Sequence, residues 1–202
     1  MLKLYTFYLS TNGRKVHMAL EEAKAAYEIS PVNLLKGEQK SPEYLKLNPN
    51  GKVPTIVDDG LVMWESIAIL LYLAEKFPAA NLLPAAAAER ARAFQWLVWQ
   101  PTTFGAPASA LFRQMRFTPE DKRDQKVIDQ ARSEVTKNAE ILADGLQGRD
   151  YLAGTFSVAD MALMPYLHVL AELKLALPAA VDAYHKRLAA RPSWAKVLAY
   201  TG

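Results

Sequence analysis

The chain of 202 residues contains no cysteine. That excludes structural disulfides, thiolate-ligated metal centres and any reaction carried by a protein thiol, so sulfur chemistry has to arrive with a ligand. Histidine is also scarce: His17, His168 and His185 share no metal-ligand spacing, and each reads as a surface or core residue, with no metal expected. No run approaches the roughly 20 apolar residues of a membrane helix. The opening Met1-Leu2-Lys3-Leu4-Tyr5-Thr6-Phe7-Tyr8 alternates like a strand and lacks the charged start and long apolar core of a secretory leader. The cytoplasm is the expected location, and no membrane partner is expected. A basic stripe is missing as well. The 24 Lys and Arg are scattered among 21 Asp and Glu, which argues against a nucleic-acid face and leaves small molecules or a second copy of the chain as partners.

What is present is an ordinary globular composition, 51% hydrophobic and 22% charged, long enough for one large domain or two small ones. The first third alternates strand and helix signals. Leu2 to Leu9 reads as a strand, and Ser10-Thr11-Asn12 offers caps for a helix to about Lys24 with Val16, Ala19, Leu20 and Ala23 as its apolar stripe. Tyr27 to Leu34 reads as a second strand. Ser41-Pro42-Glu43 opens a short helix, a hairpin spans 53–63, and a third helix runs from Ser66 to Phe77. This β-α-β-α-β-β-α order predicts a four-stranded sheet, parallel where a helix crosses over and antiparallel at the hairpin. A linker near 78–85 separates it from a helical remainder. There, one helix runs to about Gln100 before Pro101, and Thr118-Pro119-Glu120-Asp121 is expected to open another, ending near Leu146. Ser157-Val158-Ala159-Asp160 opens a further helix, and Arg191-Pro192-Ser193-Trp194 punctuates the last. The expected domains are therefore 1–78 and 85–202, an α/β unit followed by an all-α unit.

The most informative stretch is Val53-Pro54-Thr55-Ile56-Val57, followed by Asp58-Asp59-Gly60 and then Met63-Trp64-Glu65-Ser66. It reads as a strand starting at a proline, a tight turn, a second strand and a helix opening on an acid and a hydroxyl. Proline cannot donate to a ladder and belongs at a strand's first residue or in a special turn. A helix start presents free N–H groups and partial positive charge, which suits a carboxylate. Together they form a cradle for an extended peptide-like ligand.

The chain resembles the cytosolic glutathione transferase family over its whole length. The resemblance rests on Leu4-Tyr5 with Ser10-Thr11-Asn12-Gly13-Arg14-Lys15-Val16, on Leu47-Asn48-Pro49-Asn50-Gly51-Lys52-Val53-Pro54, on Glu65-Ser66-Ile67-Ala68-Ile69 and on Ser157-Val158-Ala159-Asp160. It implies a thioredoxin-like first domain that binds glutathione and a helical second domain that contributes the co-substrate pocket. It implies a cis bond at Val53-Pro54, with Val53 pairing with the cysteinyl backbone of the tripeptide. Glu65 and Ser66 would hold the ammonium and carboxylate of the γ-glutamyl end, and Gln39, Lys40 and Lys52 would reach the glycyl carboxylate. The string from Ser10 to Lys15 is similar to serine- and threonine-type bacterial transferases (Nu-like, or theta- and phi-like), some of which reduce glutathione-linked disulfides. Ser10 would then donate to the glutathione sulfur, with Asn12 as a further donor. Thr11 stands where the Nu-like proteins have proline, and it is the competing candidate. Tyr5 is a weaker alternative at the start of the first strand.

Lowering a thiol from near 8.5 by about two units takes roughly 2.7 kcal/mol of thiolate preference, which a hydroxyl at a helix N-terminus can supply. Each assignment also has a structural reading. Ser10, Thr11 and Asn12 are good helix caps, Glu65 and Ser66 fit a first turn, and Ser157 with Asp160 is a capping box rather than part of a hydrolase triad. The aromatic cluster of Phe94, Trp96, Trp99, Phe104, Phe112 and Phe117 reads as core. Within the turn-rich interval 101–117, Leu111, Phe112 and Met115 are candidates for an apolar co-substrate pocket, with Phe7 and Leu9 from the first domain. The function the resemblance implies is a glutathione transferase that binds glutathione as thiolate and either conjugates it to an electrophile or uses it to reduce disulfides or peroxides. Glutathione would be the cosubstrate, and the chain would form a homodimer. The competing class is a non-catalytic binding or scaffold protein of the same fold, against which the retained hydroxyl, proline and Glu65-Ser66 pair argue.

Overall fold

In strand β1 (Leu2–Thr6), alternation puts Leu2, Leu4 and Thr6 on the core face and leaves Lys3 and Tyr5 on the other. β1 is a central strand of a four-stranded sheet in the order β2 (Tyr27–Pro31), β1, β3 (Thr55–Asp58), β4 (Leu61–Trp64). β2 runs parallel to β1, while β3 is antiparallel to β1 and β4 antiparallel to β3, as the element order requires. This computed structural model describes all residues, Met1–Gly202, in two units: Met1–Leu83 with Arg191–Gly202, and Pro84–Ala190.

β1 stops three residues before the expected Leu9. The backbone turns instead, with the Ser10 N–H donating to the Phe7 carbonyl at 2.9 Å, and that turn launches helix α1 (Thr11–Glu22). β2 likewise ends at Pro31, and the chain passes through two short 3-10 turns at Leu34–Lys36 and Glu38–Lys40 before α2 (Pro42–Leu47). Ser41 caps α2 by accepting from the Tyr44 N–H at 3.2 Å. α1 buries Val16, Ala19 and Leu20 completely against α3 (Ser66–Lys76) and a C-terminal helix, α9 (Pro192–Ala199). Lys15 is buried with them, and burial pushes its ammonium from the usual lysine range down to about 7, against the favourable pull of the Glu65 carboxylate.

α9 lies beyond the helical unit in sequence yet groups with the sheet. Arg191 forks onto Glu22, Nε to Oε1 at 2.7 Å and Nη2 to Oε2 at 2.8 Å, and Ser193 and Lys196 donate to Glu22 and Glu21. Trp194 and Val197 are buried beneath these contacts. The sequence division had placed this segment in a helical domain running from 85 to 202. Helical period cannot reveal which unit an amphipathic helix will cover, because the pattern is the same either way.

The second unit contains α4 (Ala87–Trp99), α5 (Gly105–Arg116), α6 (Gln125–Leu146), α7 (Val158–Glu172) and α8 (Ala179–Ala189). Here the sequence reading needs two corrections. The interval 101–117 is helical rather than turn-rich. A π turn at Gln100–Phe104 absorbs Pro101 and runs straight into α5, where Pro107 supplies no N–H to the preceding turn and the Thr103 carbonyl accepts from Asn138 Nδ2 at 2.9 Å instead. The helix expected from Thr118 begins at Gln125. Thr118 closes α5 by donating to the Arg113 carbonyl at 3.2 Å, Glu120–Lys122 forms a 3-10 turn, and Asp124 caps α6 by accepting from Lys126 and Val127.

The α7 cap is a buried network. Asp160 Oδ2 accepts from the Ser157 N–H at 2.8 Å and from its hydroxyl at 3.1 Å, while Oδ1 accepts from the Leu152 N–H at 3.1 Å and Tyr184 Oη at 2.7 Å. Ser157 and Asp160 therefore serve structure, as the capping-box reading holds.

Two stability experiments follow from these burials. Asp160→Ala strands the Tyr184 hydroxyl and two backbone N–H groups, so urea unfolding should show a loss of about 3 kcal/mol or more. Ser157→Ala should cost about 1 kcal/mol. For Lys15 the folded pKa lies below the unfolded one, so between about 7 and 10.5 the unfolded chain holds the extra proton, and this group adds stability as pH rises through that window. Lys15→Met should therefore stabilise the protein most below pH about 7 and progressively less towards 10.5. Thermal melts across that range will show an equal gain at every pH if the lysine is not buried as a depressed base.

Candidate active site

Ser10 occupies the N-cap of α1 with extended backbone angles, and its Oγ accepts from the Gly13 N–H at 3.1 Å. That bond uses a lone pair and leaves the hydroxyl hydrogen free to donate outward. Thr11 and Asn12 follow in the first turn and are half-buried, like Ser10. Gly13 permits this arrangement because a Cβ there would lie 1.9 Å from Thr6 Oγ1, so only glycine lets the start of α1 sit this close to β1. Arg14 fixes the turn from the other side, its Nε donating to the Tyr8 carbonyl at 2.8 Å. Tyr5, the weaker alternative, points to the face opposite Thr6, with its ring 6.2 Å from that of Tyr44.

The Val53–Pro54 bond is cis, as the resemblance implied, and both residues are buried. The preceding carbonyl is held twice: Lys52 O accepts from Tyr44 Oη at 2.7 Å and from Asn48 Nδ2 at 2.8 Å. Tyr44 Oη also contacts Thr55 Oγ1 at 2.9 Å, which ties the start of β3 into the same network. Burial pushes the Tyr44 phenol up, so it stays protonated and can keep donating. Sequence reasoning assigned no role to Tyr44, Asn48 or Thr55. Asn48 stood inside a motif quoted for resemblance, but the function of its side chain shows only in the fold.

Gln39 and Lys40 lie in the 3-10 turn before α2, and Lys52 lies on the loop before Pro54. Gly51, at φ 57°, brings the two segments together. A Cβ at Gly51 would stand 2.6 Å from Lys40 Nζ and 2.9 Å from the Gln39 carbonyl, and Lys40 Nζ donates to the Asn50 carbonyl at 3.4 Å. Lys40 and Lys52 are exposed. Gln39 is half-buried, and its Oε1 is buried without a hydrogen-bond partner.

Glu65 sits at the N-cap of α3 with φ 71° and ψ 109°, a conformation that non-glycine residues seldom adopt and that a fold tolerates mainly where function needs it. The turn leaves its carboxylate exposed at the head of the helix. Ser66, the first residue of α3, is buried, and its Oγ reaches Asn12 Oδ1 at 3.5 Å. The heads of α1 and α3, 54 residues apart in sequence, therefore meet through these two side chains. Two helix N-termini beside one acid can receive both charges of an α-amino acid group.

Of the residues assigned to a co-substrate pocket, Phe7 is buried in a cluster with Val32, Tyr44 and Val53, and Leu9 packs at its edge. In the other unit Leu111 is fully buried in the helical core, while Phe112 and Met115 are half-buried on α5. His17 lies between the rings of Tyr27 and Tyr200, and burial pushes its pKa down to about 4, so it is a neutral core residue. No group of three or more His, Cys, Asp or Glu side chains is placed to hold a metal ion, and no helix is long and apolar enough to cross a membrane.

Comparison with known proteins agrees with this geometry. The family model for the glutathione S-transferase N-terminal domain matches residues 1–75, and that for the glutathione S-transferase C-terminal domain matches residues 104–192. The disulfide-bond oxidoreductase YfcG of Escherichia coli strain K12 is 35% identical over 208 residues, covering 98% of this chain and 94% of that protein. Glutathione S-transferase F10 of Arabidopsis thaliana is 31% identical over 214 residues, covering 98% and 97%. Among solved structures, the theta class glutathione S-transferase of Xanthomonas axonopodis pv. citri, determined with glutathione bound, superposes with a TM-score of 0.89 at 32% identity, covering 98% and 97%. With its thioredoxin-like sheet unit, its helical unit and matches spanning nearly its whole length, the chain belongs to the cytosolic glutathione transferase family.

Proposed function

We propose that the protein binds glutathione as thiolate, with Ser10 as the hydroxyl donor to sulfur, and conjugates it to electrophiles or uses it to reduce disulfides. The observation that carries this reading is the contact between Asn12 and Ser66, which sets the α1 hydroxyls beside the Glu65-Ser66 turn. Glu65 takes the γ-glutamyl ammonium and Ser66, with the α3 N–H groups, takes the adjoining carboxylate. Val53 pairs with the cysteinyl backbone, and Gln39, Lys40 and Lys52 receive the glycyl carboxylate. Gripped at both ends, the tripeptide presents its sulfur to the head of α1, where the Ser10 hydroxyl and the helix N-terminus favour S⁻ over SH. Thr11 and Asn12 are the neighbouring donors.

In conjugation the thiolate attacks an electrophilic carbon, forms the C–S bond and expels the leaving group. In reduction of a glutathione mixed disulfide it attacks the glutathionyl sulfur, forms glutathione disulfide and releases the other thiolate. Both reactions use the same site, in which the protein contributes position and charge and the cosubstrate contributes sulfur. In the helical unit, Phe112 and Met115, half-buried on α5, are proposed to meet the co-substrate, whereas Leu111 is enclosed in the core of that unit. No metal is required, and the cytoplasm, where glutathione keeps thiols reduced, is the compartment that suits this chemistry. We also place the chain in a homodimer, which would cover apolar residues that each unit leaves exposed: Leu61, Val62 and Trp64 on the edge strand β4, and Phe94 and Val98 on α4.

With glutathione bound, the thiolate absorbance of the wild-type protein should titrate below the value of about 8.5 for a free thiol. Ser10→Ala should return it by about one to two units, while Thr11→Ala should move it less. An unmoved titration in Ser10→Ala removes Ser10 from this role. Steady-state assays with a chloronitrobenzene and with a glutathione mixed disulfide then rank the two activities, and tight binding with neither turnover selects the scaffold reading. Sedimentation equilibrium should give twice the 22.5 kDa chain mass, and Trp64→Lys should shift it towards the monomer. A wild-type monomer at micromolar concentration excludes the dimer.

A further inference from the structure

A cavity of about 350 Å³ lies between α2 and strands β1 and β2, on the sheet face that carries Tyr5. None of the residues proposed to touch glutathione lines it. Its floor is buried Val32 and the Tyr44 ring, and half-buried Tyr5 and Leu47 form its walls. The two tyrosine rings stand 6.2 Å apart at 60° and make an aromatic corner. A mostly apolar hollow of this size, with a few polar groups at its edge, suits a small organic molecule.

The charges on its lining are all negative. Glu38 and Glu43 stand exposed at the rim, and no lysine or arginine lines the cavity. Glu38 Oε2 accepts from the Asn33 N–H at 2.6 Å, which leaves Oε1 for another donor. Neither acid is in an ion pair. Lys40, between them in sequence, is turned to the Asn50 carbonyl. Lys3, outside the lining, rests over the Tyr5 ring at 5.5 Å, so the chain itself sets a cation against this aromatic wall. An ammonium on an aromatic body would meet acids at the rim, ring faces on the walls and an apolar floor. An anion would meet two carboxylates and no cation.

We propose that this cavity is a second ligand site, which takes an arylalkyl ammonium ion and, when filled, raises the affinity for glutathione. Two features link the sites. The Tyr44 ring lines the cavity, while its hydroxyl holds the Lys52 carbonyl just ahead of the cis bond. Glu38 and Glu43 bracket Gln39 and Lys40 in the segment that runs from the 3-10 turn into α2. A cation between the two carboxylates fixes that segment before glutathione arrives, which removes part of the ordering cost of binding. By reciprocity, glutathione raises the affinity for the amine by the same factor. The linkage rests on the glutathione reading of the neighbouring site; the amine site itself does not.

The test titrates phenethylammonium into the full chain at neutral pH and follows the backbone amide NMR spectrum. Saturable shifts should centre on Ser30, Val32 and Tyr44. With S-methylglutathione present at saturation, the amine should bind about fivefold or more tightly. Phenethyl alcohol, which keeps the body and lacks the charge, should bind about threefold or more weakly than the amine, and hydrocinnamate more weakly still. Glu38→Gln with Glu43→Gln, two exposed changes that keep a hydrogen-bonding oxygen, should bring the amine to the affinity of the alcohol. Shifts confined to other segments, equal binding of amine and alcohol, or an unchanged amine affinity in the double variant overturns the site. Competition between the amine and S-methylglutathione puts the ammonium at Glu65 and overturns it as well. The wild-type ligand series decides the matter even where the variant does not fold. Independent binding of the two ligands overturns the linkage and leaves the site. Absence of S-methylglutathione binding overturns the glutathione reading and the linkage with it, while the amine series still judges the cavity.

Discussion

The Tyr44 side chain ties together three segments around the cis bond, its hydroxyl the loop before Pro54 and the start of β3, its ring the turn after β1. It donates to the carbonyl of Lys52, and with that donor committed the Thr55 hydroxyl donates to it, while Asn48 reaches both partners. The ring of the same tyrosine packs with Phe7, Val32 and Val53. One side chain thus anchors the loop before Pro54, the start of β3 and the turn that leads into Ser10. Buried hydrogen bonds in such a chain polarise one another, and losing one member strands the others. The residues proposed to touch glutathione are held mostly by residues that would not touch it.

The site is electrostatically economical. Its anion-binding features are the heads of α1 and α3, where backbone N–H groups supply positive potential without a buried countercharge. The cations assigned to the glycyl end, Lys40 and Lys52, stay in solvent and bear little desolvation cost. Lys15 breaks this pattern. Its ammonium has no exposed surface, and the desolvation cost shows in the lowering of its pKa to about 7.

Much of the sheet unit was legible in the sequence because its signals are short-range and redundant. Alternation marked β1, Ser41-Pro42 marked α2, and the Pro54-to-Ser66 stretch carried strand, turn and helix start within a dozen residues. The errors share one cause, which is that local signals do not say what a residue faces. Pro101 reads as a helix breaker because the sequence cannot show the π turn that absorbs it. Thr118-Pro119 carries every mark of a helix start, yet Asp124 took the role, since the Thr118 hydroxyl bonds backward to Arg113. In the site, Glu65 and Ser66 could be read as an anion-binding helix start from residue type, and Ser10 could be proposed through the family resemblance. Tyr44, Asn48 and Thr55 could not, because their contribution is a hydrogen-bond network with no sequence period. Lys15 enters the sequence reading only within the string quoted for the family resemblance, and the fold alone shows that it lies inside.

The clasp of Arg191 and Ser193 on Glu22 spans 169 and 171 positions of chain. Contacts of that sequence separation raise the contact order of the sheet unit far above what its local β-α-β hairpins would give, and such topologies fold slowly. On the ribosome the sheet can form early, but one face of α1 stays uncovered until every residue of the helical unit has been made. The nascent sheet unit therefore presents apolar surface throughout that interval, so the stage of synthesis at which the chain is most exposed to aggregation or chaperone capture is set by its last helix.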